Sequence, residues 1–361
     1  MNIFDRIKSF FNKNQLKELP QGVISVNDEN VWRRSLRYDI NENNNDTLKE
    51  PSLEECIKEF IEQYGKVLKE DSIQPKNRSY AAFERMFCGE EERAGKNEIN
   101  QKKLMNYVSK NKNLRTDFQQ SNNRTVFLHI QGDEGINTKE DTEMEKIYLN
   151  CKRENIALLA KGILNKIEKP CGNKLQMKYV AEQIFDEDKR TELSKEIKNY
   201  QRNDKIVIYS KDSNMTNTIT EKINELKKEK PNLFSEDKYL PMMPKKYGFI
   251  GVVGNNKFES IDTYMGTITG ETYNEYMSNI MSNSILIGFD KTIGVDKDIK
   301  STNEQLATCV EKFNKLNEKG KKEVIENSGK MFKKICAVKN IDTVYTPVNN
   351  KNLEKNQEEE R

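Results

Sequence analysis

Histidine is almost absent from this sequence, and its scarcity excludes several kinds of site. His129 is the only histidine in 361 residues, and the six cysteines form no CxxC pair. Zinc sites need closely spaced cysteine and histidine, so we expect no metal and no other cofactor. A Ser-His-Asp triad would have to use His129, which lies in an apolar strand pattern, and no serine occupies a GxSxG elbow. A structural histidine is therefore the first interpretation of His129.

Long apolar runs and an excess of one charge are missing as well. No run approaches the roughly 18 apolar residues of a membrane span, so we expect no integral membrane association. The first 13 residues lack the continuous apolar stretch of a secretory signal. Lys and Arg number 61 against 58 Asp and Glu, a net charge of +3 that is too small for nucleic-acid binding by bulk electrostatics. Scattered cysteines in a chain of this length indicate reduced thiols.

The distribution of apolar residues divides the chain into four parts. Residues 1–45 contain a short amphipathic helix and a polar linker, and the helix either docks on the body or binds a membrane surface or a partner. Residues 46–120 form a helical region, beginning with a capping box at Ser52. Residues 121–340 form a mixed core, and residues 341–361 form a disordered tail.

The mixed core alternates irregularly between β-branched runs and helical spacing. Predicted strands lie at 125–130, 146–151, 175–180, 205–209 and 246–253. Predicted helices lie at 51–64, 80–87, 101–107, 156–167, 186–200, 218–228, 272–286 and 304–316. Because the regular βαβ rhythm is missing, we predict an α+β fold, with a mostly helical N-terminal part and a core of one sheet and packed helices.

Two glycine- or hydroxyl-rich segments have both a structural and a functional interpretation. The GxxGxxG spacing of residues 248–254 suggests a nucleotide loop, but it lacks a following Lys-Ser/Thr and fits a buried strand with close backbone approach. Residues 209–218 run from a strand end into a helix, whose N-terminus could bind an anion. Alternatively, Thr216 or Thr218 simply caps that helix.

Basic residues surround the predicted strands and could bind an anion together. These residues are Lys174, Lys178, Arg202, Lys245 and Lys246. Taken singly, each is typical of a solvated surface. Lys178 differs because its neighbours are apolar, and partial burial would lower its pKa so that it could act as a base.

Four stretches of the core carry a recognisable pattern when taken in order. They are Lys146-Ile-Tyr-Leu-Asn-Cys151, Gln176-Met-Lys178-Tyr-Val180, Tyr200-Gln-Arg202-Asn-Asp204-Lys-Ile-Val-Ile-Tyr209, and Lys230-Pro-Asn-Leu-Phe234 followed by Pro241 and Gly248-Phe-Ile-Gly-Val252. Together they resemble the HopA-type family of type III secretion effectors. That family includes lyase-like subunits that work beside a kinase in class V lanthipeptide and thioamitide biosynthesis. The family's Ser-Phe-Gly-x-x-Arg motif corresponds to Tyr264-Met-Gly-Thr-Ile-Thr269, without the arginine.

The resemblance implies elimination of phosphate from phosphoserine or phosphothreonine in a peptide or protein. Such a reaction needs a base for the α-proton, cations for the phosphate and a donor for the enolate-like charge. The implied catalytic residues are Lys178 as base, Tyr209 as donor, Asp204 as orienting partner of a cation and His129 as general acid. The implied phosphate-binding residues are Arg202, Lys174, Lys245 and Lys246.

The resemblance also sets expectations about partners and location. It implies a phosphorylated substrate, a separate kinase as a possible partner, and a location in the cytoplasm or secretion from it without a signal peptide. Two alternatives stay open. One is a catalytically inactive family member that binds a phosphopeptide or another partner, as the missing arginine favours. The other is an unrelated α+β adaptor that acts through residues 1–13.

Overall fold

The computed structural model describes residues 51–88, 96–120, 126–134, 144–181, 202–234, 240, 242–254, 258, 260–296, 298–299, 301–338, 341 and 343. The predicted amphipathic start, the predicted helix at 186–200 and the tail from residue 344 lie outside these ranges. Two compact units divide the chain, one of residues 1–39 with 333–361 and one of residues 40–332. In the first unit, the amide of Ile341 donates to the Cys336 carbonyl at 2.9 Å. The predicted division into four parts stays a prediction.

The α-helices among the described residues are α1 (Leu53–Val67), α2 (Arg78–Arg85), α3 (Lys96–Ser109), α4 (Ile156–Cys171), α5 (Ser213–Glu229), α6 (Tyr273–Thr292), α7 (Thr302–Phe313) and α8 (Glu318–Val338). The start of α1 is fixed by hydrogen bonds between residues that are close in the sequence. The Ser52 hydroxyl accepts from the Glu55 amide at 3.2 Å, and the Glu55 carboxylate accepts from the Ser52 amide at 2.6 Å. This reciprocal pair confirms the predicted capping box.

The strands are β1 (Leu114–Gln120), β2 (Val126–Gly132), β3 (Glu145–Leu149), β4 (Gln176–Val180), β5 (Ile206–Ser210), β6 (Lys245–Lys246), β7 (Ile250–Gly254), β8 (Ile261–Thr263) and β9 (Gly266–Ile268). Seven of them form one sheet in the order β1-β2-β4-β5-β3-β7-β6, and β8 pairs with β9. Every neighbouring pair is antiparallel. Together with the packed helices, this sheet confirms the predicted α+β fold.

The two faces of the large sheet differ in character. One face packs on α4 and α5 and carries apolar side chains such as Leu128, Met177 and Ile208, which are at most 1% exposed. Because side chains alternate along a strand, the residues between these point to the other face. That other face carries the polar and aromatic residues of the candidate site.

Several predicted boundaries change for identifiable reasons. The predicted helical region contains the edge strand β1, whose residues 115–117 are polar and exposed, so no apolar alternation marks it. The single strand predicted at 246–253 is instead the hairpin of β6 and β7. It turns at Tyr247 and Gly248, which have φ values of 54° and 72°. The helix α8 was not predicted at all.

Candidate functional site

Five side chains emerge together from the face of the sheet that α4 and α5 leave uncovered, and we call this group the lysine face. Its members are Phe127, His129, Lys146, Lys178 and Tyr209. His129 pairs with Lys178 across β2 and β4, and Lys146 pairs with Tyr209 across β3 and β5. Lys178 pairs with Val207, two residues before Tyr209 on β5. Directly paired residues and residues two apart share a face, so these side chains lie on one surface.

Lys178 combines burial with the lack of an ion-pair partner. It is half-buried, and its Nζ lies 4.4 Å from the centroid of the Phe127 ring. Burial lowers the pKa of Lys178 and the charge of Arg202 adds to this, whereas Asp204 and Glu84 oppose it. Within the described ranges, no carboxylate forms a salt bridge with Lys178. An amine in this setting is neutral more often than a surface lysine, and it is therefore a better proton acceptor.

Lys146 is a second half-buried lysine on the same face. Its Nζ lies 5.9 Å from the centroid of the Tyr209 ring. Burial lowers the pKa of Lys146, and the positive charge of Lys178 lowers it further. The sequence indicates Lys146 only as the start of a predicted strand. Its register opposite Tyr209 is the signal that could have revealed it, but that register depends on a pairing of distant strands.

The pKa values of the two other titratable groups of the lysine face, Tyr209 and His129, shift in opposite directions. Burial raises the pKa of Tyr209 to about 12, with a further contribution from Asp204, so its hydroxyl is a hydrogen-bond donor at pH 7. Burial and, to a lesser extent, the charge of Lys178 lower the pKa of His129 to about 4, although Asp117 opposes them. The imidazole is therefore neutral at pH 7, which suits hydrogen bonding better than the expected role of general acid.

Arg202 lies beside the lysine face in a buried ion network. Its Nε and Nη2 donate to the two oxygens of Asp204 at 2.7 and 2.9 Å, and Nη2 also pairs with Glu84 of α2. The guanidinium carbon lies 4.9 Å from the centroid of the Phe127 ring, so Arg202 and Lys178 contact the same ring. Asn274 of α6 donates to Asp204 at 3.2 Å. We call Glu84, Arg202 and Asp204 the arginine network.

This network changes the expectation for Arg202. We expected its guanidinium to bind phosphate, yet two carboxylates already engage it and the residue is only 4% exposed. Asp204, expected to orient a cation, is placed to do so for Arg202. The segment that contains Arg202 and Asp204 is held further by Asn203, whose backbone N–H donates to the backbone carbonyl of Glu84 at 2.8 Å.

Three of the predicted phosphate-binding lysines do not join Lys178. Lys246 lies on the opposite face, where its Nζ donates to Asn217 of α5 at 2.7 Å. Lys245 shares the face but lies four strands from Lys178, about 19 Å at roughly 4.8 Å per strand. Lys174 lies in the 3-10 turn before β4, about 13 Å along the chain from Lys178 at roughly 3.3 Å per residue.

The two segments with double interpretations prove to be structural. Asp212 caps α5, accepting from the Met215 amide at 2.9 Å, so neither Thr216 nor Thr218 is the cap. A carboxylate at that helix start also repels an anion. The GxxGxxG segment forms the β6–β7 turn and β7. A Cβ on Gly251 would lie 3.0 Å from the Met243 sulfur, the close approach expected for a buried strand.

In the part of the chain that the structure describes, no group of three or more histidine, cysteine or acidic side chains could hold a metal ion. Across those same ranges, none of the helices has the length and apolar character needed to cross a membrane. The six cysteines are all buried.

Comparisons with known proteins give little beyond this geometry. No protein family matches the sequence, and a search of curated proteins finds no match. Among solved structures, the chain is similar to the effector protein from Pseudomonas syringae pv. syringae strain 61. The similarity has a TM-score of 0.37 at 14% identity and covers 65% of this chain and 92% of that chain.

Proposed function

We propose that the lysine face binds a phosphorylated threonine or serine of a peptide or protein and eliminates its phosphate, which makes the protein a carbon–oxygen lyase. One observation carries the proposal. Lys178 is a half-buried amine that forms no carboxylate ion pair within the described residues, and it shares a sheet face with the protonated phenol of Tyr209. A base and a donor on one rigid face are what elimination requires.

The chemistry balances with these two groups. The Lys178 Nζ takes the α-proton of the phosphorylated residue, and the electrons of the C–H bond form the Cα=Cβ double bond. The Cβ–O bond breaks, and phosphate leaves with the bonding electrons. The proton taken by Lys178 then passes to the phosphate, directly or through water, so that hydrogen phosphate is released and the amine is restored. Tyr209 donates a hydrogen bond to the carbonyl oxygen, where negative charge develops. A positioned general base contributes on the order of a hundredfold to ten-thousandfold to such a rate.

The arginine network supports this arrangement without contacting the reacting atoms. Arg202 and Lys178 both contact Phe127, and the network joins α2 to the start of β5. In this proposal the network fixes the position of the base, and a separate kinase supplies the phosphorylated substrate. The resemblance of residues 176–180 and 200–209 to HopA-type sequences supports the same reaction.

Mass spectrometry of a phosphothreonine peptide tests the proposal. The wild-type protein is expected to remove the mass of one phosphoric acid and to leave a dehydroamino acid without hydrolysis. Lys178→Ala is expected to abolish the reaction. Lys174→Ala is the matched control, because it removes a nearby lysine that lies outside the lysine face, and it should retain activity. Full activity of Lys178→Ala would show that Lys178 is not the base, and an inert wild-type protein would refute the lyase proposal.

A second candidate function is phosphopeptide binding without catalysis. Two observations favour it: Thr269 replaces the arginine of the HopA-type motif, and carboxylates engage Arg202. Binding of the phosphopeptide by the wild-type protein with no change in its mass would establish this function and exclude the first.

A further inference from the structure

We infer that Lys146, beside Tyr209, is the group that binds the dianionic phosphoryl group of the substrate. This inference rests on the proposed function, because it concerns the same face and substrate class. It assigns phosphoryl binding to a residue that the sequence resemblance does not indicate, and it withdraws that role from Arg202.

Arg202 is poorly suited to the role because its charge is already compensated. Its fork donates to both oxygens of Asp204, and Glu84 supplies a second carboxylate. Arg202 could bind phosphate only after giving up one of these contacts, which would leave a buried carboxylate without its cation. Breaking a buried ion pair in this way is strongly unfavourable, because it leaves a buried charge uncompensated. The free cations of the site must therefore come from elsewhere.

Lys146 is suited to the role because, within the described part of the chain, no carboxylate pairs with its Nζ. The neighbouring acid Glu145 cannot neutralise it, because alternation places Glu145 on the opposite face, where Ser213 of α5 donates to it at 3.3 Å. The strand β3 lies inside the sheet between β5 and β7, so Lys146 is held on a rigid element.

Lys146 and Lys178 lie on the same face, on the two strands that flank β5, and we assign them different roles. The positive charge of Lys178 lowers the pKa of Lys146, because two ammonium charges on one half-buried face oppose each other. A dianion beside Lys146 would stabilise its ammonium form. Lys178, which packs on Phe127 and pairs with His129, would then be the neutral amine that accepts the α-proton. Tyr209 lies on β5, the strand between the two that carry Lys146 and Lys178.

Binding affinity for a phosphothreonine peptide tests this inference apart from catalysis. The background is Lys178→Met, which keeps the substrate intact, and the peptide is compared with its unphosphorylated form by calorimetry. Adding Lys146→Met should weaken binding of the phosphorylated peptide about tenfold or more, as expected for a lost charge-assisted hydrogen bond, and leave the unphosphorylated peptide unchanged. Lys146→Arg should retain most of the affinity. If Lys146→Met fails to fold, Lys146→Gln serves in its place.

The outcomes separate this inference from the proposed function. Equal affinity of the Lys146 variant and its background for the phosphorylated peptide would overturn the inference, as would an equal loss for both peptides. Neither result bears on whether the wild-type protein eliminates phosphate. Conversely, a wild-type protein that binds through Lys146 but releases no phosphate would support this inference and refute the lyase proposal.

Discussion

Arg202 and Asp204, two residues apart in the sequence, form a two-pronged ion pair with N–O distances of 2.7 and 2.9 Å, and both residues are 4% exposed. Glu84 joins them from α2. Arginine forms such forked pairs with carboxylates because its donors are planar and fixed in geometry. The pair therefore fixes the start of β5 against α2, next to the residues that we propose for catalysis.

Removing Asp204 should destabilise the whole fold. Asp204→Ala leaves the buried guanidinium with one carboxylate fewer, and we expect the free energy of unfolding to fall by about 3 kcal/mol. Asp133→Ala is the matched control, because it breaks an exposed pair with Arg115 at 3.0 Å and should cost less than about 1 kcal/mol. Urea denaturation followed by circular dichroism measures both. Equal effects would show that the arginine network contributes no more than a surface pair.

The pH dependence of elimination should report the neutral form of Lys178. Because the pKa of Lys178 is lowered, the rate should rise with pH and level off below the ordinary lysine value of about 10.4. The negative charge of Asp204 raises the pKa of Lys178, so Asp204→Asn should move the rising limb of kcat/KM to lower pH. A limb that stays in place in this variant would contradict the coupling, and Asp133→Asn should leave the profile unchanged.

His129 can be followed directly, since no other histidine contributes an imidazole signal. Its pKa is lowered to about 4, so its proton NMR signal should titrate well below the ordinary midpoint of about 6.5. A lowered folded pKa means that the unfolded chain binds a proton more readily. Its contribution to stability is therefore complete above about pH 6.5 and is lost as the pH falls toward 4.

Replacing this histidine should reduce the sensitivity of the fold to acid. Between pH 7 and pH 4, His129→Gln should lose less stability than the wild-type protein in urea titrations. A steeper loss in the variant, or a titration midpoint near the ordinary histidine value, would contradict the burial of the imidazole.

Gly132 should tolerate no side chain. A Cβ at this position would lie 2.4 Å from the carbonyl oxygen of Asn173, a backbone atom that cannot move aside cheaply. Gly132→Ala should therefore cost about 2 kcal/mol or more and disturb the pairing of β2 with β4. Gly320→Ala in α8, where contacts begin at 3.4 Å, should be neutral or stabilising by up to about 1 kcal/mol. Thermal unfolding of the two variants compares them, and an unchanged Gly132→Ala midpoint would contradict the close approach.

Local patterns carried much of the fold. The capping box predicted α1, and the β-branched runs at 125–130 and 205–209 predicted the strands β2 and β5, because both signals depend on neighbouring residues. The apolar neighbours of Lys178 also predicted its partial burial, which the structure shows. Local patterns do not show which strands pair, and therefore they do not show which side chains share a face of the sheet.

The spatial arrangement of the site residues was hidden from the sequence for the same reason. The partner of Arg202 is Glu84, in a helix far upstream, so an arginine expected to bind phosphate is engaged by a carboxylate that its own segment does not contain. Lys246 and Lys245 are adjacent in sequence, yet the pleat sends their side chains to opposite faces. Lys146 was overlooked because its importance depends on Tyr209 lying opposite.

The strand order has a consequence for how the protein is made. Lys146 and Lys178 lie on β3 and β4, which follow each other along the chain, but β5 is inserted between them in the sheet. In a nascent chain that has emerged only as far as residue 181, the facing edges of β3 and β4 lack β5, the strand with which they pair. The ion pair between Glu84 and Arg202 likewise forms only after residue 202 has been synthesised. The sheet face that carries both lysines is therefore completed only after β5 has been synthesised. A fragment that ends before β5 contains both amines but lacks the strand that joins them in one surface.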